Sequence, residues 1–65
     1  MKQTTIDALM RAYVQLQVIV QELYEAQQVA LDNNDLPDVS LLRIRADKLY
    51  DEAINLEHII NELEE

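Results

Sequence analysis

Apolar residues return at alternating intervals of three and four along this chain, in two runs separated by the stretch Asp-Asn-Asn-Asp-Leu-Pro-Asp at residues 32–38. That interval aligns side chains along one face of an α-helix. In heptad terms the first run puts Ile6, Tyr13, Val20 and Gln27 at a, and Leu9, Leu16, Leu23 and Ala30 at d. The second run is cleaner. Val39, Ala46, Ala53 and Ile60 take a, and every d position is leucine: Leu42, Leu49, Leu56 and Leu63. The alanines at the two central a positions allow two helix axes to approach closely, while the leucines fill the layers between them. Met10, Tyr24 and Leu31 widen the first stripe on one side, and Ala12, Ile19 and Ala26 widen it on the other. Tyr50, Ile54 and Ile59 extend the second. Stripes this wide pack against more than one neighbour.

The expected architecture is all-α, one domain over residues 1–65, with a helix over 5–31, a turn over 32–37 and a helix over 38–63. At 1.5 Å per residue each helix is about 40 Å long, and the short connection makes them antiparallel. Thr4, three residues before Asp7, has the spacing of a capping box for the first helix. One hairpin offers each wide stripe a single partner helix. Two hairpins cover both stripes as a four-helix bundle, so a homodimer is expected. A larger oligomer, or a bundle completed by another protein, is the alternative. With 65 residues the core of one chain is marginal, and with no cysteine a disulfide cannot support it. The predicted dimer core is Ile6, Leu9, Tyr13, Leu16, Val20, Leu23, Leu42, Ala46, Leu49, Ala53, Leu56, Ile60 and Leu63.

The acidic stretch at 32–38 has two readings, a calcium loop or a helical corner. Counted from Asp32 as an EF-hand loop, Asn34 suits the third position. Leu36 at the fifth, Pro37 where glycine is required and Arg43 where glutamate is required do not. As a corner, Asn33 or Asn34 can take the left-handed conformation that ends a helix without glycine. Pro37 is tolerated in the first turn of the next helix, and Asp35 or Asp38 can cap it.

Catalytic and cofactor chemistry find little footing. The lone histidine, His58, stands four residues before Glu62, a spacing that can share a divalent ion but that more often marks a solvated pair. Asn55 stands where a di-iron bundle needs glutamate three residues before histidine. Without glycine there is no phosphate-binding loop. Carboxylate pairs such as Asp47 and Asp51 fall on the outer face. The reading is a non-enzyme with no cofactor, no metal and no small-molecule substrate.

Two surface features interrupt the helical pattern. Val14 and Val18 occupy outward positions on the first helix, beside Arg11, Gln15, Gln21 and Glu25. Leu41 and Ile44 do the same on the second, beside Arg43, Arg45 and Lys48, three of the five basic residues. These are candidate contact surfaces for a second macromolecule, or else the heptad frame drifts near the helix ends.

Residues 46–53, Ala-Asp-Lys-Leu-Tyr-Asp-Glu-Ala, resemble part of the second helix of the Rop (RNA-one modulator) family. The core leucine at Leu42, the Ala46, Leu49, Tyr50 and Ala53 spacing, Lys2-Gln3 and Ala8-Leu9 extend the likeness to about a third of the chain. The resemblance implies a helical hairpin that dimerises into a four-helix bundle and binds paired RNA loops on its two first helices. Aligned on the core, the RNA-contacting positions become Thr4, Arg11, Gln15, Ile19 and Ala26, of which Arg11 and Gln15 have suitable side chains.

Thirteen acidic residues against five basic give a net charge of −8. That opposes general nucleic-acid binding and suits a basic protein partner or solubility. No apolar segment follows Met1-Lys2-Gln3-Thr4-Thr5 as a signal peptide requires, and the longest apolar runs are too short for a bilayer, so a cytoplasmic location without membrane contact is expected. The expected function is a small regulator acting on a protein partner, as an inhibitor or adaptor, or as an acidic mimic of nucleic acid encoded by a mobile element. Rop-like RNA binding and a purely structural oligomerisation module are the alternatives.

Overall fold

In the computed structural model, which describes residues 2–64, the chain is two long α-helices: α1, Gln3–Asp32, and α2, Leu36–Glu64. They pack against one another as a hairpin. The Cα atoms extend over 48 × 14 × 11 Å with a radius of gyration of 14.9 Å. A compact chain of this length would have a radius of gyration of about 11 Å. The molecule is therefore a rod only two helices wide.

The hairpin seam runs along the a positions. Ile6 and Val20 of α1 and Ala46, Ala53 and Ile60 of α2 are buried there, with Ala30 at the turn end. Ala46, at 0% exposure, marks a close approach of the two axes. The d leucines behave differently. Leu9, Leu16, Leu23, Leu42, Leu49, Leu56 and Leu63 are all half-buried. No large side chain among the described residues is fully buried. The chain exposes 4950 Å², whereas a compact monomer of its mass exposes about 4300 Å². The excess has a geometric source: two helices enclose one seam and leave the flanks of both stripes uncovered.

The turn is tighter than the sequence suggests, occupying residues 33–35 rather than 32–37. Asn34 is left-handed at φ 58°, as the corner reading requires. Its N–H donates to the Leu31 carbonyl at 3.0 Å, and the Asp35 N–H donates to the Ala30 carbonyl at 2.9 Å. These two bonds are a Schellman closure, which satisfies the last carbonyls of α1. The Asp35 carbonyl then accepts from the Val39 N–H at 3.1 Å, so α2 begins at once, with Pro37 inside its first turn. Proline costs nothing there because its missing N–H would have no helical partner.

At the other end α1 begins at Gln3, two residues before the expected start. The Lys2 carbonyl accepts from the Thr5 and Ile6 N–H groups at 3.1 and 3.3 Å. Thr4 consequently lies inside the helix and forms no capping box. Asp7 accepts instead from the Gln3 side-chain amide at 2.9 Å.

The turn geometry makes a direct prediction. Asn34→Ala places a Cβ-bearing residue without a local side-chain hydrogen bond in the left-handed region, at a cost of about 1 kcal/mol. Asn34→Gly removes that penalty. Thermal denaturation should rank the three as glycine at or above asparagine, and alanine lowest. Alanine melting at or above the parent would contradict the assigned turn.

Candidate functional site

The two flanks of the seam have different chemistry. An antiparallel helix pair places the e positions of both helices on one side of the a seam and the d and g positions of both on the other. On the e side lie all three tyrosines of the chain. Tyr13, Gln17, Val20, Gln21 and Tyr24 of α1 meet Tyr50, Ala53, Ile54 and Glu57 of α2 around a groove of about 320 Å³. Ala53, a small residue at a, lines it between larger neighbours.

Phenol–carboxylate bonds tie the helices together across this flank. The Tyr24 hydroxyl donates to Asp47 Oδ1 at 2.7 Å. The Tyr13 hydroxyl donates to Glu57 Oε2 at 3.3 Å and accepts from Gln17 Nε2 at 3.0 Å. Both phenols are shifted above their ordinary pKa. For Tyr13 the leading cause is loss of hydration between the helices, followed by the charge of Glu57. For Tyr24 it is the hydrogen bond to Asp47, followed by desolvation and by the charges of Asp47 and Asp51.

The d and g flank is apolar. It combines the seven half-buried leucines with Ala12, Ile19, Ala26 and Ile59, interrupted by Arg45 and Glu52. Ile19 and Ile59 are each 43% exposed. The residues expected in a dimer core thus divide. Ile6, Val20, Ala46, Ala53 and Ile60 are buried within one hairpin, Tyr13 borders the tyrosine groove, and the leucines lie along the opposite flank.

The expected partner surface also divides. Arg11, Val14, Gln15 and Val18 are exposed on the outer side of α1. Arg11, Val14 and Gln15 line one shallow groove with Met10, while Val14 and Val18 line a neighbouring one with Gln17, Gln21, Glu22 and Glu25. Leu41, Arg43, Ile44, Arg45 and Lys48 are exposed on α2 and border neither groove.

The acidic corner is engaged in its own backbone and side-chain contacts. Asp32 accepts from the Gln28 side-chain amide at 3.0 Å. Asp38 has its pKa raised, chiefly by a hydrogen bond shared with Asp35 and then by the charge of Asp35. No group of three or more His, Cys, Asp or Glu side chains able to hold a metal ion occurs among the described residues, nor does any helix there have the length and apolarity to cross a membrane. No protein-family model, curated protein or solved structure matches the chain.

The tyrosine groove was the feature that a heptad reading passed over. Its signal lay in the e positions: Gln17 and Tyr24 on one helix, Tyr50 and Glu57 on the other.

Two titrations follow. Tyr13 and Tyr24 should ionise above the ordinary phenol value in a spectrophotometric titration, with Asp47→Asn returning Tyr24 toward it. Because the folded pKa is raised, the phenol bonds contribute fully below the ordinary value and are lost as pH rises through the shifted one. Both phenols titrating at the ordinary value would contradict these bonds. In the turn, carboxyl-detected NMR should find Asp38 titrating above the ordinary aspartate value, and Asp35→Asn should lower it. An Asp38 value unmoved by that substitution would rule out the shared proton.

Proposed function

We propose that this chain is a non-enzymatic regulatory protein that acts as a homodimer by binding a protein partner. Two hairpins join through their d and g flanks into a four-helix bundle, and the outer faces then carry the partner. One observation supports this above the others: five a residues, Ile6, Val20, Ala46, Ala53 and Ile60, are buried inside a single hairpin, while all seven d leucines are only half-buried. Burying apolar surface is worth about 25 cal/mol per Å², and a second copy supplies a matching row of the same length.

Side-chain chemistry favours the leucine flank over the tyrosine flank as the dimer face. The charges on the leucine flank, Arg45 and Glu52, are of opposite sign and can pair across an interface, whereas the tyrosine flank would bring two carboxylates, Asp47 and Glu57, into a low-dielectric interface with no basic partner among the groove residues. Arg45 and Glu52, at g positions one heptad apart, suit a two-fold arrangement in which the arginine of one copy faces the glutamate of the other.

A protein partner is favoured over nucleic acid by the net charge of −8. The Rop-like alternative draws on Arg11 and Gln15, which are exposed side by side with Met10 and Val14 on α1. Tagged chain incubated with host lysate, with and without ribonuclease, separates these readings. A nuclease-resistant protein partner is expected. Recovery of one structured RNA in place of protein would overturn the regulator reading in favour of the alternative.

The dimer has its own test. Sedimentation equilibrium at micromolar concentration should return twice the chain mass. Ile19→Lys with Ile59→Lys places charge on side chains already 43% exposed in the hairpin, so helicity should survive while the mass halves. A lone, stably folded chain before mutation would overturn the bundle.

A further inference from the structure

The tyrosine groove stays open when the leucine flank is covered, because the two lie on opposite sides of the seam. Its lining combines three aromatic rings with negative charge. Tyr13, Tyr24 and Tyr50 surround a floor of Val20 and Ala53, and Glu57 stands at the rim. Asp47 sits within 2.7 Å of the Tyr24 hydroxyl. Neither lysine nor arginine lines the cavity. The hydroxyls of Tyr13 and Tyr24 are already bonded to carboxylates, which fixes the position of two of the rings.

An aromatic ring presents a negative face, so cations are attracted to it, and guanidinium also stacks on it. A carboxylate at the rim can take the guanidinium N–H groups by charge-assisted bonds. An apolar ligand would dehydrate the charge of Glu57, which the single hydrogen bond from the neutral Tyr13 hydroxyl does not balance, and an anion would be repelled. We infer that this groove is a receptor for an arginine side chain, presented by the protein partner and held between the tyrosine rings and Glu57. The inference rests on the reading that the chain binds a protein, and it assigns the recognised chemistry to one flank of the hairpin. Each dimer would carry two such grooves facing solvent, so a partner with two exposed arginines could engage both and gain from the linkage.

The groove can be tested without knowing the partner. N-acetyl-arginine-amide is titrated into the full chain at millimolar concentration and followed by NMR, with N-acetyl-citrulline-amide as the uncharged isostere. Arginine should shift the ring signals of Tyr13, Tyr24 and Tyr50 and the methyl signal of Ala53, and citrulline should shift them far less. Glu57→Gln keeps a hydrogen-bond acceptor for Tyr13 but removes the charge, and Tyr50→Leu removes one ring that is 52% exposed. Each should weaken binding on the order of threefold or more. Equal shifts from arginine and citrulline, shifts spread over the carboxylates of the outer faces, or unchanged binding in both variants would overturn the groove. Sedimentation of the same samples keeps the two readings apart. A dimer without arginine selectivity removes the groove alone, whereas arginine selectivity in a chain that recovers only RNA from lysate leaves the groove and removes the regulator reading.

Discussion

Close approach along the alanine-bearing a seam is the interaction on which the rest of this molecule depends. Ala46 and Ala53 bring α2 against α1 closely enough that five of the eight a residues are buried within one hairpin. Everything else follows from what the seam excludes. The leucines, larger and one step round the helix, are left on one flank, and the tyrosines are left on the other. Larger residues at 46 and 53 would hold the axes apart, fill the tyrosine groove from below and let the d leucines turn inward.

The two flanks solve the same problem by different means. On one side the apolar edge of the seam is bordered by phenols whose hydroxyls end in carboxylates, so ring carbon lies against the core while the polar atoms pair with one another. On the other there is no such polar rim along most of the length. The asymmetry gives a thin hairpin a distinct inside, a covered edge and an uncovered edge. A net charge of −8 acts over the whole surface and disfavours indiscriminate association of the uncovered edge.

Heptad spacing made the two helices legible in the sequence, the short connection their antiparallel pairing, and the glycine-free corner a left-handed residue at Asn33 or Asn34, of which the structure uses Asn34. Those features are local, set by side chains within a turn or two of one another. The helix starts were less legible because backbone carbonyls, not side chains, close them: Lys2 accepts two N–H groups at the first, and Asp35 accepts one at the second. Thr4 carried the right side chain at the wrong turn. The tyrosine flank was hidden for another reason. Tyr24 and Asp47 are 23 residues apart in sequence, and Tyr13 and Glu57 are 44 apart. Their meeting depends on the helix-to-helix register, which is fixed by a turn whose length had been overestimated.

Pro37 has an effect beyond its fit in the first turn of α2. A chain of two long helices joined by three residues invites a straightened form, one continuous helix that trades halves with a neighbour. In that form the Pro37 ring would collide with the carbonyl of Asn33 and break a backbone bond at mid-length. Straightening is thereby penalised, and each chain is held to a folded pair of helices rather than an extended rod that could interweave with another.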